Sequence, residues 1–156
     1  MSLPSEVKSL FNALIGSQSV RRVVIPAGAP IAIVSDGAAA ANAYAAWVQI
    51  VAAGVITDPS WFGGVTLLNN DLEAAAFADL NIGSGAGGAE VSLAEYAYFN
   101  EIAAVAASNL IMLDYPLMYP IRVTGTPRIA GRIRKSSAAS AKGITPKVTF
   151  YTAVGL

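Results

Sequence analysis

Residues 117–135, LMYPIRVTGTPRIAGRIRK, constrain the fold more than any other stretch of the chain. Ile121 and Val123 alternate with Arg122 and Thr124. After Gly125-Thr126-Pro127, the residues Ile129, Gly131 and Ile133 alternate with Arg128, Arg132 and Arg134. A period of two sends successive side chains to opposite faces of an extended strand. Gly125 and Pro127 supply φ freedom and then a locked φ where the chain reverses. The pattern predicts two adjacent antiparallel strands over 120–134, with Ile121, Val123, Ile129 and Ile133 buried. All four arginines then share the opposite face. The stretch contains no catalytic group.

The same rhythm recurs along the chain. Extended segments are expected at VRRVVIP from Val20, at IAIVS after the turn AGAP, and at YAAWVQIVAA, which reads as a central strand covered on both faces. WFGGVTLLN follows the turn Asp58-Pro59-Ser60. EAAAFADLNIG is helical by composition in its first half and strand-like at its end. EVSLAEYAYF follows the loop GSGAGG, and KVTFYTAV follows a Ser/Ala/Gly loop over 136–146. Residues 100–113 fit either a helix or an insertion between strands. About eight short strands punctuated by turns predict a mainly β protein, an antiparallel β-sandwich or jelly roll, with a barrel of the same strands as the alternative.

At the N-terminus, Leu3, Val7, Leu10, Phe11 and Leu14 form one apolar stripe of an amphipathic helix over 4–15. Pro4 suits its first turn and Gly16 the position past its end. Such a stripe must bury against something, because a short helix is marginal alone. It folds onto its own domain or docks on a neighbour. A closed sandwich leaves few apolar faces free, so the expected division is a helical arm over 1–19 and a sandwich domain over 20–156.

Composition narrows the function. A chain of 156 residues is expected to be one domain. Only 13% of its residues are charged, about half the roughly 25% usual in soluble domains, which suits a surface covered by a partner or sister subunit. Residues 1–114 hold all ten acids and three bases, and residues 115–156 hold seven bases and no acid. Such a split serves nucleic acid or pairs unlike faces of neighbouring copies. There is no cysteine and no histidine. Disulfides, thiolate or imidazole metal sites and histidine-based triads are therefore excluded. Residues 37–57 carry no charge over 21 positions, long enough to span a bilayer. The run is mostly alanine and is flanked by Asp36 and Asp58, so no membrane span is expected. MSLPSEVKSL lacks the basic start and apolar run of a signal peptide.

Candidate chemistry is sparse. Gly83, Gly85 and Gly88 satisfy G-x-G-x-x-G, but a dinucleotide site needs a helix directly behind it. Residues 90–99 alternate instead, so a hairpin loop is expected. Glu90 and Glu95, five residues apart on a strand, are expected on opposite faces and not as a glycosidase pair. Asp71, Glu73 and Asp79 lack a D-x-D-x-D calcium loop. No aromatic interleaves Arg122, Arg128, Arg132 and Arg134 in their own strands, so nucleic acid is not the expected counterpart. Solvent or an acidic protein neighbour is. Trp47, Trp61, Tyr96, Tyr98 and Tyr119 are the candidate aromatics for gripping carbohydrate.

GVTLLNN (64–70), AFADLNIGSGAGGAEV (76–91) and PIRVTGTPRIAGRIR (120–134) together resemble the small jelly-roll head decoration (cement) proteins of tailed bacteriophages, over roughly residues 44–154. The resemblance implies a structural virion protein and not an enzyme. It is made in the host cytoplasm and placed on the capsid surface, where it stabilises the head through oligomer and lattice contacts. Its partners are then itself, as a homotrimer, and the major capsid protein, with no cofactor. The expected interface combines Leu3, Val7, Leu10, Phe11 and Leu14 with Arg122, Arg128, Arg132 and Arg134. A phage tail or head-fibre module recognising host carbohydrate is the alternative.

Overall fold

In the computed structural model, which describes residues 4–10, 20–25, 34–35, 40–56, 59–70, 76–100, 113–126, 128–136 and 143–153, two antiparallel sheets face each other. The strands are β1 (Val20–Ile25), β2 (Val34–Ser35), β3 (Val48–Val51), β4 (Ser60–Asn70), β5 (Ala76–Ser84), β6 (Val91–Asn100), β7 (Leu113–Val123), β8 (Ile129–Lys135) and β9 (Gly143–Ala153). The first sheet has the order β1-β9-β4-β7, with β2 also on β9; the second has the order β3-β8-β5-β6.

β1 and β2 act as one interrupted strand. β1 pairs with β9 down to Val148, and β2 resumes the antiparallel pairing at Ile144. Pro146, which has no N–H to give a ladder, lies in register between them. Counted this way, the described residues form two four-stranded sheets. From β3 onward the chain passes back and forth between them, with only β5 and β6 consecutive in one sheet. That winding is the jelly roll. It gives two separate sheets with four edges, so the barrel alternative does not hold.

The core follows from the alternation. Phe62, Val65 and Leu67 of β4 and Val148 and Phe150 of β9 face Leu80 and Ile82 of β5 and Ile129 and Ile133 of β8. The Phe62 and Phe150 rings lie 5.6 Å apart, tilted against each other. Burying side chains of this size is worth about 1.5–3 kcal/mol each, and that holds the layers together. Gly64, at φ 142°, marks a forced close approach: a Cβ there would meet the Tyr115 carbonyl oxygen at 2.4 Å. Beside it, β7 carries extra residues, because Phe62 pairs with Ile121 while Gly64 already pairs with Pro116.

Several expectations are corrected. Residues 120–134 are not a hairpin: β7 pairs with β4 in the first sheet, and β8 pairs with β3 and β5 in the second. The turn at Gly125, with φ 73°, carries the chain across the core. The burial expected of Val123, Ile129 and Ile133 is observed, and Ile121 is half-buried against the core. The four arginines therefore do not share a face. Arg122 belongs to the first sheet, and Arg128, Arg132 and Arg134 to the second. β3 is an edge strand of four residues, not a central one, and a bulge between Gln49 and Val51 breaks its alternation. β7 starts earlier than its alternating part and tolerates Pro116 and Pro120 because it is an edge.

The helix covers residues 5–10, opened by a hydrogen bond from Lys8 N–H to the Pro4 carbonyl at 3.1 Å. Val7 is buried and Leu10 half-buried within the single chain. Leu3, Phe11 and Leu14 lie outside the described residues, as do residues 101–112 of the open question over 100–113 and residues 73–75 of the helical reading of EAAAFADLNIG, while Ala76 and Phe77 of that first half are strand and open β5. Among the described residues no helix is long and apolar enough to cross a membrane.

Candidate functional site

The outer face of the second sheet collects three arginines, three acids and two aromatic rings. Alternation sends Arg128, Arg132 and Arg134 of the β8 segment outward while Ile129 and Ile133 point into the core. β5 supplies Asp79 and Asn81 in direct register with Arg134 and Arg132. β6 supplies Glu95, opposite Asn81.

The arginines have three different environments. Arg134 donates from Nε to Asp79 Oδ2 at 2.6 Å and from a terminal nitrogen to Glu95 Oε1 at 3.1 Å. Both pairs are substantially exposed, where such contacts are screened by water. Arg128 donates from Nη1 to Glu90 Oε1 and from Nε to Gln49 Oε1 at 3.0 Å. The Glu90 side chain is buried, and its other oxygen accepts from Gly88 N–H at 2.9 Å. That set braces the β5–β6 hairpin loop, which is the Gly83–Gly88 motif, against β3 and β8. A strand follows this loop, so the dinucleotide reading has no helix to rest on.

Arg132 is held by rings. Its guanidinium carbon lies 4.4 Å from the Tyr44 centroid and 4.2 Å from that of Trp47, and Arg134 reaches the Tyr44 ring at 4.7 Å. Trp47 in turn lies on Gly83, where a Cβ would stand 2.7 Å from its Cη2. Asn81 donates from Nδ2 to Ser92 Oγ at 2.8 Å. Asn81 Oδ1 and Arg132 Nε, neighbours across the ladder, are both buried without a hydrogen-bond partner. The Tyr44 hydroxyl is also unpartnered; it is set toward Glu95 but falls short of hydrogen-bond geometry. Burial first, and the Glu95 carboxylate second, push the Tyr44 phenol above its ordinary pKa.

Glu90 and Glu95 do not point to opposite faces. Leu93 is an extra residue in the ladder, since Ile82 pairs with Ala94 and Gly83 with Ser92. The bulge flips the parity, and both acids reach arginines on the outer face. They still form no acid pair, because Arg128 and Arg134 stand about 20 Å apart at strand rise. Of the candidate aromatics, Trp47 joins this face. Trp61 and Tyr96 are buried, and Tyr119 is exposed on β7. Tyr98's side chain lies outside the described residues, as do Asp71 and Glu73. Tyr44 was not legible as a site residue, since nothing local ties it to a strand so far along the chain.

Chemically, this surface is a self-neutralising girder. Its acids are engaged by arginines, and no nucleophile stands beside a base in the set. Among the described residues no three metal-ligating side chains converge. Comparisons with family models, with curated proteins and with solved structures gave no match.

Proposed function

We propose that the chain is a structural assembly protein of a tailed-bacteriophage virion, a head decoration (cement) protein acting as a homotrimer on the major capsid protein, without catalytic activity. The motif resemblance over residues 64–70, 76–91 and 120–134 motivates the class. One structural observation carries the reading. On the second sheet Glu90, Asp79 and Glu95 are engaged by Arg128 and Arg134, and Arg132 is covered by Tyr44 and Trp47, while large apolar side chains stand exposed at strand ends and edges: Phe77, Val91, Met118 and Tyr119. A surface that hides charge and shows apolar groups at its edges suits contact with neighbouring protein. An antibody against the chain should label the heads of the virions that carry its gene. Label on tails alone, or on no virion, overturns the assignment.

A second reading, a module gripping host carbohydrate, has one observation in its favour: Tyr44 and Trp47 lie on an open sheet face beside Arg132 and Asn81. Saturable binding on a glycan array, abolished by Trp47→Ala, supports that reading; a blank array removes it.

A further inference from the structure

The two edges of the first sheet carry unlike features at the same level. On the β7 edge, the extra residues opposite Gly63 push out Met118, 84% exposed, and Tyr119, 47% exposed. On the β1 edge there is a cavity of about 240 Å³, with Val23, Ile25, Ile56 and Phe150 on its walls and Val55 and Arg21 among its lining. A volume of that size is several times the ~30 Å³ share of one water molecule. It admits a methionine side chain or an aromatic ring.

The register fixes their relative position. Val23 pairs with Phe150, Phe150 with Phe62, and Phe62 with Ile121, so one row crosses the sheet from the middle of the cavity to the foot of the β7 protrusion. The protrusion and the cavity therefore lie at opposite ends of one row. Within one chain they cannot meet.

From this juxtaposition we infer that the Met118–Tyr119 protrusion of one copy seats in the β1-edge cavity of the next. The lining is mixed: Val23, Ile25 and Val55 give Met118 apolar side chains to lie against, and Arg21 and Thr152 give the Tyr119 hydroxyl polar partners. Arg21 puts a cation in the lining. Among the described residues the Arg21 guanidinium pairs with no acid, and Tyr119 brings an electron-rich ring face and a hydroxyl to it. Arg122, one position along β7 from Ile121, is engaged within its own chain. Because all pairing in the sheet is antiparallel, a neighbour in the same orientation sets its β7 antiparallel to β1. The contact uses two different patches, so it is heterologous and builds a ring when each step rotates. This inference rests on the self-assembly reading above and names the surface that performs it.

The natural absence of cysteine gives a clean test. Met118→Cys and Val55→Cys are made separately, mixed at equal concentration and oxidised mildly. Both sites are exposed, so both variants should fold, with melting unchanged under reducing conditions. Each variant carries a single cysteine, so a 118–55 bridge in the mixture joins two copies. The expected result is a disulfide dimer in the mixture at least tenfold faster than in either variant alone, and a ladder of linked species from the double variant. Met118→Asp should weaken self-association tenfold or more at unchanged melting temperature. Self-linking of Met118→Cys at the mixed rate means symmetric edge pairing and overturns the inference. An oligomer that forms with no 118–55 bridge also overturns it, leaving the assembly reading intact. A chain that stays monomeric throughout overturns both.

Discussion

The guanidinium of Arg132 lies 4.2 Å from the centroid of Trp47, joining a residue just before β3 to the middle of β8. Trp47 is pressed onto Gly83 beneath it, and Tyr44 covers Arg132 from its own side. The stack ties the short edge strand β3, which has only four residues of ladder, to the centre of its sheet.

Arg132→Ala removes both ring contacts at once. A partly desolvated cation–aromatic contact is worth about 1–2 kcal/mol, which corresponds to a loss of roughly 3–6 °C in melting temperature for a domain of this size. Arg132→Lys keeps the charge but not the planar stacking surface, and should recover less than half of that loss. Thermal melts followed by circular dichroism check this. A lysine variant as stable as the parent means the charge, not the stack, matters.

Ile133 is fully buried on the inward side of β8, packed within the core between the sheets. Ile133→Asp should cost about 4 kcal/mol or more, because a carboxylate enters an apolar core without a partner. Urea unfolding measures it. A variant melting within a degree or two of the parent contradicts the facing of β8.

How much of this was legible depends on the kind of information alternation carries. The period of two in Ile121, Val123, Ile129 and Ile133 marks which side chains face the core, and they do. It does not name the neighbouring strand. Two strands joined by a turn at Gly125 satisfy the same pattern as a hairpin or by facing each other across a core, and the chain uses the second arrangement. Placing all four arginines on one face assumes the hairpin and fails with it. Simple alternation puts Glu90 and Glu95 on opposite faces, but a single extra residue, Leu93, reverses parity, and bulges leave no mark in hydrophobic periodicity. The Tyr44–Arg132–Trp47 stack is a long-range contact with no local signal.

The phenols carry a pH dependence. Burial holds Tyr96 and Tyr115 above their ordinary values, and burial with Glu95 does so for Tyr44. In the unfolded chain these groups lose their protons near pH 10. Above that pH the native state retains protons that the unfolded state has released, so stability is complete below pH ~10 and falls as pH rises further. Tyr44→Phe and Tyr96→Phe should flatten the alkaline fall seen by urea unfolding between about pH 8 and pH 11. Since the Tyr96 hydroxyl is buried without a partner, Tyr96→Phe should also be neutral or stabilising by up to about 1 kcal/mol at neutral pH. A loss of stability at neutral pH means that the hydroxyl has a partner.

The assembly reading stands or falls on the mass of the protein in solution. Sedimentation velocity of the full chain across a wide concentration range reads it directly. The expected result is a concentration-dependent shift from the 16.0 kDa chain to a discrete trimer, reduced by Met118→Asp. A single 16.0 kDa species at every concentration, with no association with phage heads, contradicts the account.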